Sequence, residues 1–396
     1  MDAETLGVYV HVPFCQRICP YCDFAVVGVR RLSAELEARY VRALLAELAR
    51  RRENFSGRAL ASLYLGGGTP SLLTPESIAG IVEAVRAAFP ARGWVETTLE
   101  VNPGTLERER LPGFRAAGVN RASIGVQSFE DTTLKRLGRA HRGAEARRSL
   151  AAARDAGFEA ISLDLVFAAP GQDLAGFERD LEEALGFGPE HISTYELTIE
   201  PGTPFATAAE RGQLRRAAEE EIVAMFEAAE ARLEAAGFER YELSSFARPG
   251  FAAVHNRRYW ERRPVLGLGV GAFSTDPACE GAPFGVRRAN TRDLSRYLEA
   301  ALSGCLAEQE LAEAEPPEVL AAPTARGEAV FLALRSAAGL DARRFAREFG
   351  LPPRGFWEEA IAGLIARGLL QERLGGDLRL TRRGRLLSDS VFEYFV

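Results

Sequence analysis

Three cysteines stand within eight residues near the start of the chain, in Cys15-Gln-Arg-Ile-Cys19-Pro-Tyr-Cys22-Asp-Phe24. Thiolates this close together can occupy one face of a cubane iron–sulfur cluster. A 4Fe–4S cluster held by only three thiolates keeps one iron open, and that iron can chelate a small molecule through an amine and a carboxylate. Structural zinc is the competing reading, but it wants four closed ligands, and no further Cys or His follows at a short spacing. His11 reads as a packed or supporting histidine, and Cys279 and Cys305 as ordinary thiols. A second landmark is Gly66-Gly67-Gly68-Thr69-Pro70. Glycines there let backbone groups approach a ligand closely, although a glycine run alone is usually just a tight turn. Further polar residues sit on or just after later apolar runs: Glu100 and Asn102, Gln127, Asp164, and Tyr195 with Glu196. Each reads singly as a capped turn or a satisfied buried group; their joint placement suggests one rim. Downstream lies His255-Asn256-Arg257-Arg258-Tyr259-Trp260. Imidazole and phenol are both possible axial ligands for haem iron, while a histidine hydrogen-bonded in a turn beside a packed Trp accounts for the same residues.

The elements that must position these groups alternate in type over roughly the first 240 residues. Apolar, β-branched runs fall at 7–14, 61–65, 97–101, 122–126, 160–167 and 191–199, and helical periodicity fills 33–52, 75–88, 106–117, 144–156, 174–186 and 215–236. Six successive β/α units favour a parallel sheet with right-handed crossovers. Because the unusual residues follow strand after strand, the expected fold is α/β, a partial (β/α)6-type barrel with its site at the C-terminal strand ends. The expected division is a barrel over 1–240, an attached β-rich segment over 241–305, a linker over 306–325 rich in Ala, Glu and Pro, and a domain over 326–396. Helices near 327–338, 342–349 and 354–367, then strands at 369–372 and 378–380, predict that this last part is a small winged-helix-like α+β unit.

The chain has 396 residues, 47% of them hydrophobic and 26% charged, with a formal net charge of −6. That charge argues against a broad nucleic-acid-binding face. Arg373, Arg379, Arg382, Arg383 and Arg385 near the C-terminus could be mistaken for the basic face of a DNA-binding winged helix, but they are offset by neighbouring acids and fit a solvated face equally well. No apolar run reaches the roughly 18–20 residues that span a bilayer, and the first residues lack a signal-peptide layout. A cytoplasmic protein with reduced, metal-holding thiols is expected.

Cys-x3-Cys-x2-Cys after a first strand, with Tyr21 before the last cysteine and a glycine turn one β/α unit later, resembles the radical S-adenosylmethionine (SAM) superfamily. Within it, Tyr9-Val-His-Val-Pro13, Glu100-Val-Asn-Pro103, Ser123-Ile-Gly-Val-Gln-Ser-Phe129 and Leu137-Gly-Arg139 resemble the coproporphyrinogen dehydrogenase-like group. The resemblance implies a 4Fe–4S cluster on Cys15, Cys19 and Cys22. It implies SAM contacts at Tyr9, Gly67, Gly68, Thr69, Glu100, Gln127, Arg139 and Asp164, with Tyr21 against the adenine. Two departures separate the chain from the porphyrinogen-oxidising pattern. Phe24 stands where that enzyme has a further cysteine, and Cys15 nearly opens the chain where the enzyme has a long arm. The His-Asn-x-x-Tyr segment resembles a haem-associated motif of the haem-chaperone branch, with His255 and Tyr259 as its ligand positions. The implied function is therefore a chaperone that binds cluster, SAM and haem and passes haem to an acceptor protein. The alternatives are oxygen-independent porphyrinogen oxidation and a radical methyl transfer to haem. A reductant such as flavodoxin or ferredoxin is implied if radical chemistry occurs, and peripheral membrane contact is compatible with haem delivery. The C-terminal unit is expected to close over the site or meet a partner rather than to bind nucleic acid.

Overall fold

A computed structural model describes residues 4–303 and 315–396. Six strands run parallel in chain order: β1 (Thr5–Val12), β2 (Ala59–Gly67), β3 (Glu96–Val101), β4 (Arg121–Gln127), β5 (Ala160–Phe167) and β6 (His191–Glu196). Helices cover the outer face, so the strands are apolar on consecutive positions rather than alternating, as buried parallel strands are; Leu63, Leu99, Ile124, Leu163 and Ile192 are fully buried. The helices begin where their caps dictate. Ser33 accepts the Leu36 N–H ahead of Ala34–Arg51, and Asp173 accepts that of Gly176 ahead of Leu174–Gly186. Thr74 accepts from Ser77 while Pro75 fills the first turn of Pro75–Ala88, where a missing N–H costs nothing.

The sheet is wider than six strands. Continuing in chain order are β7 (Glu239–Arg240), β8 (Ser245–Ala247), β9 (Val265–Leu268), β10 (Phe273–Asp276), β11 (Val286–Ala289) and β12 (Glu318–Val319). The twelve lie in the order β12-β11-β10-β9-β1-β2-β3-β4-β5-β6-β8-β7. The irregular segment after the β/α units thus extends both ends of one sheet. β8 pairs antiparallel with β6, and β9 lies parallel beside β1 as a seventh parallel strand. Fully buried Glu47 fastens this addition to helix Ala34–Arg51: it accepts from the Gly269 N–H, the Asn290 amide and the Tyr297 hydroxyl.

The helix Val254–Trp260 lies against strand starts. The Glu96 carboxylate accepts both the Val254 and His255 N–H groups, capping the helix N-terminus, and Arg258 donates to the Thr5 carbonyl. Beyond the sheet, helices Ala322–Arg335, Ala342–Phe349 and Arg354–Ala366 and the ladder Leu370–Glu372 with Leu378–Leu380 build the winged-helix-like unit around a separate core that includes Val330, Phe345, Ile361 and Leu378. Two short helices unforeseen in the sequence, Arg382–Leu386 and Ser388–Phe392, complete it. This unit docks on the sheet: the Leu243 N–H donates to the Arg335 carbonyl, and the Ala337 N–H to that of Tyr241. Arg382 and Arg385 are committed to ion pairs with Glu230 on helix Glu219–Ala235. Of the expected linker, residues 306–314 lie outside the described residues, as does Cys305. Its remainder is structured, with β12 on the sheet edge and a helix from Ala322.

Candidate cluster and ligand site

The three cysteines hang on a loop that leaves β1 and folds back on itself. Phe14–Cys15 pairs with Val27–Gly28, and the Cys22 N–H turns back to the Cys19 carbonyl. His11 Nε2 meets the Ala25 carbonyl at 2.8 Å, tying the far side of the loop to the strand. Two outside elements hold it as well: the Phe205 N–H donates to the Pro20 carbonyl, and Gly138 lies directly against the Pro20 ring. Gly138 has φ +68°, and any side chain there would collide with that ring. The loop therefore sits over the C-terminal ends of the strands, beside a cavity of about 550 Å³.

Cys15, Cys19 and Cys22 line that cavity, with Tyr21, Gly67, Gly68 and Thr69. So do Glu100, Gln127 and Asp164 from three later strands, and Arg139 from the turn that follows the short helix Asp131–Arg136. The structure brings these eleven positions together; Tyr9, His255 and Tyr259 it places behind or beneath the wall. Gly67 has φ +108° and packs on the His11 ring, so the turn can pass close to β1 while its N–H donates to Glu100 Oε2 at 3.0 Å. Gln127 ends β4 at φ +65°, a left-handed conformation uncommon for a residue with a side chain. Such strain concentrates at ligand sites.

The polar end of the cavity is tuned by burial. Glu100 accepts from the Tyr64 hydroxyl at 2.8 Å and from Gly67, yet burial dominates and pushes its carboxyl up to about 7. Burial raises Asp164 to about 6, against the pull of the Ser193 hydroxyl and the Arg121 and Arg139 charges. Both carboxyls can therefore change protonation near neutral pH as a cationic ligand arrives.

The residues fit a cluster. Thr69 Oγ1 donates to Cys15 Sγ and Arg139 Nη1 to Cys19 Sγ, both at 3.6 Å. Hydrogen bonds to cysteine sulfur are one of the means by which a protein tunes such a cluster. Among the described residues, no three His, Cys, Asp or Glu side chains are placed to hold a single metal ion. Cluster thiolates bind different irons and need no such convergence.

His255 lies in the floor, 1% exposed, on helix Val254–Trp260. Its Nδ1 meets Ser62 Oγ at 2.9 Å, its Nε2 the Tyr259 hydroxyl at 3.3 Å, and burial pulls its pKa down to about 3. Neither His255 nor Tyr259 lines the cavity, while their neighbour Asn256 does. Tyr9 packs against Tyr64 and His255 and meets His11 Nδ1 at 3.1 Å, supporting the wall rather than facing the cavity. Sequence reasoning passed over Tyr64, Ser123, Ser162 and His191, all of which line the cavity. Their available signal was a small or polar residue recurring at matched positions of neighbouring strands, since Ser123 pairs with Ser162 and Ser162 with His191.

A parallel β/α sheet with a three-cysteine loop and a facing glycine turn is matched by the sequence model of the Radical SAM superfamily over residues 9–184, and the model of the HemN C-terminal domain matches residues 320–387. The heme chaperone HemW of Bacillus subtilis is 33% identical over 98% of this chain and 99% of its own. That of Mycobacterium tuberculosis is 34% identical over 99% and 95%, and that of Escherichia coli 40% identical over 67% and 69%. The solved structure of coproporphyrinogen III oxidase (HemN) from Escherichia coli, a radical SAM enzyme, superposes with a TM-score of 0.82, covering 99% of this chain and 90% of that one at 24% identity. The chain belongs to the radical SAM superfamily and, within it, to the family of the heme chaperone HemW. Its superfamily cofactors are a 4Fe–4S cluster and SAM.

Proposed function

We propose that this protein is a haem chaperone of the radical SAM type, which binds haem and passes it to an acceptor protein. The observation that carries this reading is the match along nearly the whole chain to proteins called heme chaperone HemW. Cys15, Cys19 and Cys22 hold the cluster. The cluster, when bound, supplies one electron and an open iron for SAM. Gly67, Gly68 and Thr69 take the methionyl end, Arg139 its carboxylate, and Glu100, Gln127 and Asp164 the amine and ribose. Tyr21 flanks the adenine, and Tyr9 acts through Tyr64. Charged Arg139 and the raised carboxyls suit a zwitterionic, sulfonium-bearing ligand.

For haem, His255 and Tyr259 form the proposed ligand pair. Nε2 of His255 meets the Tyr259 hydroxyl, so ligation there requires the Tyr259 ring to swing aside. The division into a barrel (1–240), attached segment (241–305), linker (306–325) and winged-helix-like domain (326–396) is part of the same reading, with the last domain meeting the barrel or a partner protein. So are a cytoplasmic location, a flavodoxin- or ferredoxin-like reductant, and delivery near a membrane surface; no described helix is long and apolar enough to cross one. Phe24, at the position two after Cys22, favours this function over porphyrinogen oxidation. The test is anaerobic incubation of cluster-loaded protein with coproporphyrinogen, SAM and a reductant. Unchanged porphyrinogen is expected, and stoichiometric or better conversion to the divinyl product would reassign the protein as an oxidase.

A further inference from the structure

Arg139 makes no ion pair among the described residues, and its Nε is buried without a hydrogen-bond partner. Arg139 is half-buried; its guanidinium keeps its charge when desolvated, and that charge reaches the Asp164 carboxyl on the other side of the cavity. Two of the guanidinium's bonds lead toward the cysteines and a third holds it to the strand end at Gly125. Nη1 donates to Cys19 Sγ at 3.6 Å, and Nη2 donates to the Gly125 carbonyl at 3.0 Å and to Asn102 Oδ1 at 2.7 Å. The Asn102 amide then donates to Thr69 Oγ1 at 2.9 Å, and the Thr69 hydroxyl to Cys15 Sγ at 3.6 Å. Every donor in the chain Arg139–Asn102–Thr69–Cys15 points the same way. One half-buried cation therefore polarises two of the three cluster thiolates, one directly and one through two side chains. Its position is fixed by the turn at Gly138, which presses on Pro20 between Cys19 and Tyr21. Cys19, Thr69, Asn102 and Arg139 also line a second cavity of about 300 Å³ on their other side, so the network forms the wall between the two.

We propose that the Arg139–Asn102–Thr69 network sets the reduction potential of the cluster, making the reduced state more accessible to a one-electron donor. Reduction adds one electron to the cluster and moves no proton. A fixed positive charge and sulfur-directed donors stabilise the added negative charge and raise the potential. The proposal rests on Cys15, Cys19 and Cys22 holding a 4Fe–4S cluster.

The test is an EPR-monitored redox titration of anaerobically reconstituted protein without SAM, so that loss of SAM binding cannot imitate the effect. Iron and sulfide are counted on the same samples. Arg139→Gln is expected to lower the reduced-to-oxidised ratio at fixed donor potential at least tenfold, a shift of 59 mV or more to negative potential for one electron. Thr69→Val removes one hydroxyl from a nearly isosteric side chain and is expected to shift the same way by less. Arg17→Gln, which removes an exposed charge on the same loop, is expected to leave the potential within that tenfold bound. Unmoved potentials in cluster-loaded Arg139→Gln and Thr69→Val would overturn the proposal, as would an equal shift from Arg17→Gln. Wild-type protein that takes up no iron would instead defeat the cluster reading.

Discussion

The glycine turn offers the sharpest test of how the strands hold the cysteine loop. A Cβ at Gly67 would lie 2.5 Å from His11 Cε1 and 2.6 Å from Nδ1. His11 has little room to yield, because Nδ1 meets Tyr9 and Nε2 meets the Ala25 carbonyl on the cysteine loop. Gly67→Ala therefore incurs two costs. Holding a non-glycine residue at φ +108° takes about 1–3 kcal/mol, and the overpacked contact about 1–3 kcal/mol more. The total of roughly 2–6 kcal/mol compares with a whole-domain stability of about 5–15 kcal/mol. A displaced His11 also releases Ala25, so the cysteine loop loosens. The expected outcome is a lower melting temperature together with iron and sulfide retention well below wild type after anaerobic reconstitution. Gly80→Ala is the control. It lies in helix Pro75–Ala88 with open space where its Cβ would go, and a gain of about 0.5–1 kcal/mol is expected. Wild-type melting and wild-type cluster content in Gly67→Ala would refute the packing argument.

Two other expectations follow from burial. Glu100, raised to about 7 from a carboxylate's usual range, destabilises the fold increasingly as pH rises from about 4.5 to 7, because only the unfolded state then releases its proton freely. Glu100→Gln should therefore melt higher than wild type at pH 8, with the gap closing by pH 5, and should bind SAM more weakly by calorimetry; a gap that widens toward acid would show the sign to be wrong. His255→Ala should lower the melting temperature with no haem present, since Ser62 and Tyr259 each lose a buried partner at about 1–3 kcal/mol apiece. An unchanged melt would mean that His255 is not part of the floor.

Local chemistry made much of this protein readable. Periodicity placed helices such as Pro75–Ala88 and Leu174–Gly186 where the structure has them, and their starts coincide with a Thr-Pro pair and an Asp cap in adjacent positions. The cysteine spacing and the glycine turn were equally local, and they face one cavity because both follow parallel strands. Long-range pairing was not readable. Nothing in Val265–Leu268 itself says that it lies beside Thr5–Val12, some 250 residues away, and adds a parallel strand there. The same gap hid the placement of His255. Its segment reads as a ligand motif, and only the cap from Glu96 and the bond from Arg258 to Thr5, both partners distant in sequence, put it under the cavity. Tyr64 was missed for a related reason, since a tyrosine in an apolar strand looks like core until Glu100 and His255 arrive from other elements.

Haem handling by this radical SAM protein is tested most directly by an anaerobic haem titration of the reconstituted protein, followed at the Soret band. Saturable, stoichiometric binding, with the haem released to an apo-haemoprotein on mixing, is the predicted result. Haem uptake that never saturates, or bound haem that no acceptor can remove, would contradict it.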